Sequence, residues 1–263
     1  MRMTVTRSRL LLTSALTVLV AVITAGLSPL VGTAAVAAAP AASAAVTTSA
    51  LRPMARPSYA RTIPRASNVL RPFGRALRIY DQPGGRTLIT LPNPLLPGVP
   101  LVLAEYGTRV PGWIPVSLPV RPNNTIGWVK APNVRVQRNP WRVDIYRGQH
   151  RLVVWNDNTV VGVFPVAVGK ASTPTPRGVF YILRTYASSP SGDFGPVIMA
   201  TSGFSQVFRT FGPQGGDAAT AIHGTNLDAT VGTSASHGCI RMHNADAALL
   251  GRTLPEGTLV RVP

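Results

Sequence analysis

Cys239 is the single cysteine of this chain, and three of its four histidines lie within twenty residues of it. The stretch reads Ile222-His223-Gly224-Thr225-Asn226, then Ser236-His237-Gly238-Cys239-Ile240-Arg241-Met242-His243-Asn244. A lone thiol cannot close an internal disulfide, so in a chain with an export signal it invites a chemical role. A free thiol has a pKa of about 8.5, and the missing thiolate near neutral pH amounts to roughly 2 kcal/mol that an adjacent base can supply. His237 lies two residues before the thiol, on the same face of any strand, but parallel side chains meet poorly for proton transfer. His223 has to be brought in by the fold and can approach from a neighbouring strand, so geometry favours it as the base. Gly238 lets backbone and substrate come close, and the amides from His237 to Cys239 are candidates for holding a developing oxyanion. Gly224 is a second candidate for close approach.

Two other readings compete. Cys239 could be a small buried hydrophobe among satisfied histidines. Alternatively, His223, His237, Cys239 and His243 could ligate a metal, although their spacing matches no zinc knuckle and no carboxylate stands near to orient the ligands. No metal or other cofactor is therefore expected.

The elements that must position these residues read as mainly β. Short β-prone runs cut by Pro and Gly fill residues 68–139, among them 77–80, 87–91, 100–104, 112–116, 127–130 and 134–136. Such texture favours a small barrel or sandwich. Large aromatics are usually inside, which places Trp113 and Trp128 in that core in preference to a ligand-stacking surface. Further strands are expected over 142–146, 151–155, 159–168, 178–183, 197–200, 219–223, 238–242 and 258–262, with a hairpin turn at Asn156-Asp157-Asn158. One short helix follows the cysteine, with Asn244 as its N-cap, Asp246 against the dipole and Gly251 as its stop. Residues 186–217 read as a long loop around one short strand, either a lid beside the site or simple disorder.

The N-terminus carries Arg2, Arg7 and Arg9, an apolar run from Leu10 to Leu27 and a small-residue tract with cleavage points after Ala39 or Ala44. Residues 1–44 thus read as a signal peptide or an uncleaved N-terminal anchor, and the protein as exported to the cell wall or the outer face of the membrane. Residues 45–67 form a basic Pro/Ala-rich tether too poor in large apolar side chains to build a core. The net charge of +17, in an exported chain, points to anionic wall polymers or a membrane surface and away from nucleic acid.

Once these residues are assembled, a resemblance emerges. His223-Gly224-Thr225-Asn226, twelve residues, then Ser236-His237-Gly238-Cys239-Ile240-Arg241-Met242 resembles the YkuD-type L,D-transpeptidase catalytic domain. Val168-Gly169-Lys170 and Ser172-Thr173-Pro174-Thr175-Pro176-Arg177-Gly178-Val179-Phe180 extend the likeness over residues 140–263. The segment Gly112-Trp113-Ile114-Pro115-Val116 to Gly127-Trp128-Val129 resembles a bacterial SH3-like module. The implied fold is a small SH3-like barrel followed by a β-sandwich-like catalytic domain.

The implied activity is a cysteine acyltransferase acting on peptidoglycan stem peptides, with carbapenem β-lactams as acylating inhibitors. By position, Cys239 would be the nucleophile and His223 the base and later acid, its ring oriented by the Gly224 carbonyl. Ser236 and His237 would shape the nucleophile turn, and the amides near Gly238 and Cys239 would form the oxyanion hole. Thr225 and Asn226 stand as candidates for substrate contact. Family members differ at the position of Arg241, which either pairs with a substrate carboxylate or braces the turn. A hydrolytic carboxypeptidase and an inert wall-binding protein are the alternatives.

Overall fold

The computed structural model describes residues 67–96, 98–211 and 216–263. The signal-like segment, and the tether up to residue 66, lie outside the described residues. Nearly all the regular structure is strand, as the sequence predicts, with one α-helix among the described residues.

The first unit contains β1 (Ser67–Pro72), β2 (Ala76–Tyr80), β3 (Thr87–Pro92), β4 (Leu103–Glu105), β5 (Trp113–Ser117), β6 (Ile126–Lys130) and β7 (Val134–Asn139). They form one sheet in the order β3-β2-β6-β5-β4-β1-β7, with every neighbour antiparallel. Ser67, assigned to the tether from sequence, already pairs with Asn139. Leu70, Leu77, Ile79, Leu103, Ile114, Val116 and Val129 fill the interior.

Trp113 and Trp128 are not in that core. Strand alternation turns Ile114 and Val129 inward and leaves both indoles half-buried on the other face. There Trp113 meets Tyr80 edge-on at 5.0 Å, and the Lys130 ammonium stands over both rings.

After Pro140 the second unit opens with β8 (Trp141–Tyr146), β9 (Arg151–Asn156), β10 (Thr159–Pro165), β11 (Val168–Gly169), β12 (Gly178–Ala187) and β13 (Val197–Phe204). The two-residue strands β14 (Thr210–Phe211) and β15 (Gly216–Asp217) pair with each other, and β16 (Ala219–His223), β17 (Ser234–Ser236) and β18 (Ile240–Arg241) carry the motif. Helix α1 (Asn244–Thr253) and β19 (Leu259–Val262) complete the chain. Asp157, at φ 51°, makes the β9–β10 hairpin turn in the left-handed region that Asn and Asp tolerate.

The main sheet runs β10-β9-β8-β19-β12-β13-β16-β18. Strand β12 pairs with β19 through Gly178–Tyr181 and with β13 through Ile182–Ala187, around a bulge between Ile182 and Arg184. The sheet bends there, as bulges permit. The strand within 186–217 is longer than expected: β13 runs Val197–Phe204 where 197–200 was read, and β12 reaches Ala187 at the start of the segment.

Helix α1 also departs from expectation. Its N-cap is His243, with no capping side chain, and it runs through Gly251 to Thr253. Gly251 is there for contact, since a Cβ would stand 2.7 Å from the Val197 side chain of β13. The helix therefore seats directly on the sheet beside the motif strands. Among the described residues no helix is long and apolar enough to cross a membrane.

The two units share a core. Tyr181 and Leu259 of the second unit are buried in the first unit's cluster, and a Cβ on Gly257 would press into Val69.

Candidate active site

Strands β16 and β18 pair in parallel, Ile222 with Ile240 and His223 with Arg241. Parallel neighbours need a crossover of a dozen or more residues, which is what the spacing between His223 and Ser236 supplies. Cys239, just before β18, lies two register steps behind His223 and makes a hydrogen bond with the Ala221 backbone. The two residues thus stand on adjoining strands, two register steps apart.

His223 is 2% exposed. Its Nδ1 donates to the Gly224 carbonyl at 2.5 Å, which leaves Nε2 as the proton acceptor. Burial, offset in part by that carbonyl and reinforced by the Arg241 charge, pushes its pKa down to about 4. Burial pushes the half-buried Cys239 thiol up, against the Ala221 hydrogen bond and the Arg241 charge. The resting pair is therefore a neutral thiol and a neutral imidazole.

The turn that carries Cys239 is tied by Ser236, which is fully buried. Its hydroxyl donates to the Cys239 carbonyl at 2.5 Å and accepts the Gly238 amide at 3.1 Å. Gly238 adopts φ 121°, a conformation that only glycine enters freely, and this explains its place in the motif. The same turn ends the strand expected over 238–242, leaving only Ile240–Arg241 paired. The Gly238 amide is spent on Ser236, so donors for an oxyanion have to come from beside it.

The segment after β11 packs beneath this turn. The Lys170 amide and the Thr173 hydroxyl both donate to the Ser236 carbonyl, and Gly169 has no room for a side chain beside Thr173 and Thr175. Arg241 exchanges both backbone hydrogen bonds with Ala167, while its buried Nε has no hydrogen-bond partner. Its charge bears on both His223 and Cys239.

Thr225 and Asn226 serve the site's own walls. The Thr225 hydroxyl accepts the Leu227 amide, and Asn226 donates to Asp193 at 2.9 Å. Gly224 is a point of close approach, but for the protein itself, since a Cβ would collide with Asn244, Pro196 and Gly195.

The other histidines disperse. His237 is exposed and meets the Phe208 ring at 6.0 Å, His243 faces Asp228 at 3.2 Å, and His150 shares a hydrogen bond with Ser234. Among the described residues no three His, Cys, Asp or Glu side chains gather to hold a metal ion.

Two residues escaped sequence reasoning. Phe194, 43% exposed, stands edge-on against the His223 ring at 4.9 Å and roofs the base. Asn244 accepts the Thr225 amide at 2.8 Å and donates to the Pro190 carbonyl at 3.1 Å, joining those two segments. A lone aromatic within a Ser/Gly/Pro tract was the available signal for Phe194, whereas Asn244 was marked only as a helix cap, a role that falls to His243.

This geometry can be set beside known proteins. The family model for the YkuD L,D-transpeptidase catalytic domain matches residues 140–262. YkuD of Bacillus subtilis (strain 168) is 36% identical over 123 residues, which cover 47% of this chain and 66% of YkuD. YqjB of the same organism is 32% identical over 131 residues, covering 46% of this chain and 69% of YqjB. Both bear the L,D-transpeptidase name, and this chain spans just under two thirds of YkuD's length. Among solved structures, that of the L,D-transpeptidase LdtMt1 in complex with imipenem aligns at 17% identity and a TM-score of 0.39, covering 62% of this chain and 90% of that one. With the motif on paired strands and the family's sequence match over the same residues, this chain belongs to the YkuD-type L,D-transpeptidase family.

Proposed function

We propose that the protein is an exported L,D-transpeptidase that forms or remodels peptidoglycan crosslinks through a thioester on Cys239. The observation that carries this reading is the buried neutral His223, its Nδ1 fixed on Gly224, on the strand adjoining the only thiol. His223 Nε2 takes the thiol proton as Sγ attacks the carbonyl carbon of the third stem residue. The oxyanion is met by the amides of His237 and Cys239, which flank the occupied Gly238 amide. When the tetrahedral centre collapses, the bond to the terminal D-alanine breaks and its nitrogen takes the proton back from His223. The side-chain amine of a second stem then attacks the thioester, gives a proton to His223 and displaces the thiol, which recovers that proton.

Arg241 is the substrate-facing cation in this scheme: its charge bears on both His223 and Cys239, and a guanidinium suits a stem carboxylate. Carbapenems would acylate the same sulfur. For residues 68–139 we propose an SH3-like module, a reading supported by seven antiparallel strands in one compact sheet. Together with the basic tether it would hold the enzyme to anionic wall polymers or the membrane surface.

The test is product analysis with purified disaccharide tetrapeptides. A dimer joined through third residues, with a tripeptide thioester on Cys239 seen by mass spectrometry, is expected. Free tripeptide alone would make the protein a carboxypeptidase. Crosslinking retained in Cys239→Ala would remove the thioester route, and no reaction at all would leave a wall-binding protein.

A further inference from the structure

One loop of the first unit reaches across to a segment of the second that leads to the cysteine. Arg121 extends its fork to two carbonyls, Nη1 to Ser205 at 2.7 Å and Nη2 to Phe208 at 3.1 Å. Its Nε faces the Asp217 carboxylate at 3.7 Å, and its plane lies over the Phe204 ring at 4.9 Å. Two residues on, Asn123 makes a reciprocal pair with the Phe204 backbone, donating to its carbonyl at 2.7 Å and accepting its amide at 2.9 Å. The segment thus held is otherwise braced by the Ser205 hydroxyl, which accepts the Val207 and Phe208 amides. Phe208 in turn sets its ring against His237, two residues before Cys239.

A planar guanidinium that satisfies two carbonyls of one turn fixes that turn's orientation in a way a point charge cannot. We infer that Arg121 and Asn123 are positioning residues: a clamp from the first unit that holds Phe208 over His237 and so sets the wall against which the acyl donor lies. The inference rests on the proposed reaction for its kinetic consequence, but the clamp itself can be measured without it. Neither residue touches the reacting atoms, so loosening the wall weakens donor binding while the Cys239–His223 pair stays intact.

The experiment uses the full chain with Arg121→Ala, Arg121→Lys, Asn123→Ala, Phe208→Ala and the Arg121→Ala/Phe208→Ala double variant. Amide exchange at 204–208 is expected to accelerate about tenfold or more in Arg121→Ala, as for a local opening. Unchanged exchange overturns the clamp. With disaccharide tetrapeptide as donor, KM is expected to rise about tenfold while kcat stays within about threefold, the signature of lost substrate positioning. The double variant is expected to be no worse than Phe208→Ala, because both act through one wall. Additive losses, or full rescue by Arg121→Lys, overturn the inference. Should Arg121→Ala unfold, Asn123→Ala decides by the same two readouts. A wild-type protein without turnover would sink the proposed function, and exchange alone would then judge the clamp.

Discussion

The two units are built on different interiors. Residues buried in the first sheet are mostly aliphatic, with Ser67, Ser117 and Asn139 as the polar exceptions. The second buries Arg142, Asp144, Thr173, Thr175, Thr201, Ser202, Thr220, His223, Thr225 and Ser236. Several are paired with one another or with backbone: Thr201 with Thr220, Thr173 with Ser236, Ser202 with Tyr181. A buried polar group costs free energy unless it is hydrogen-bonded, so this interior tolerates truncation less well than an aliphatic one. The contrast indicates that the first unit is shaped chiefly for cohesion and the second for holding reactive side chains at fixed angles.

The most severe way to sharpen that contrast is to truncate the base. His223→Ala is expected to slow thioester formation by roughly 10²–10⁴-fold, the usual worth of a positioned proton acceptor. The exposed His237→Ala should lose less than about tenfold, and stopped-flow acylation by a carbapenem distinguishes them. Equal losses would dissolve the assignment. Next comes Asp144, 2% exposed between Arg142 at 3.3 Å and Arg261 at 3.7 Å. Asp144→Ala leaves Arg142 buried without its carboxylate and is expected to cost about 3–5 kcal/mol in urea unfolding. A loss below about 1 kcal/mol would show that this interior is less dependent on polar pairing than its composition implies.

The pH response provides a comparable test. Burial holds the folded His223 pKa at about 4, below the 6.5 of an ordinary imidazole. A depressed base pKa means that the unfolded chain takes up the proton first, so stability falls as pH drops from about 6.5 through about 4. By linkage that loss reaches about 3 kcal/mol, and it should vanish in His223→Ala. The same shift moves the acid limb of acylation to near pH 4, below an ordinary histidine's range. A limb near 6.5 would mean a solvated base. The mildest test concerns Tyr181, which enters the first unit's core with a buried hydroxyl lacking a hydrogen-bond partner. Tyr181→Phe should change stability by at most about 1 kcal/mol, toward gain, by thermal melting. A larger loss would reveal a polar requirement in the cohesive unit as well.

Much of this was legible in the residues. The interval between His223 and Ser236 is a parallel crossover written as a number, and Asn156-Asp157-Asn158 announced its hairpin. What stayed hidden depends on which surface packs against which. Alternation in β5 and β6 is visible in sequence, but which side faces the core is not, and both tryptophans fell on the outer side. Gly251 reads as a helix stop until Val197 is seen pressing on it. The roles of Phe194 and Asn244 arise from contacts between distant segments, for which the chain carries no periodic signal.

Asn244 has a consequence for how the cleft can breathe. One amide group holds the turn at Thr225 with its oxygen and the strip at Pro190 with its nitrogen. The two banks are therefore moored to a single post at the first residue of the helix. Displacing either segment strains the amide that holds the other, so the two are mechanically coupled although they lie more than thirty residues apart in the chain.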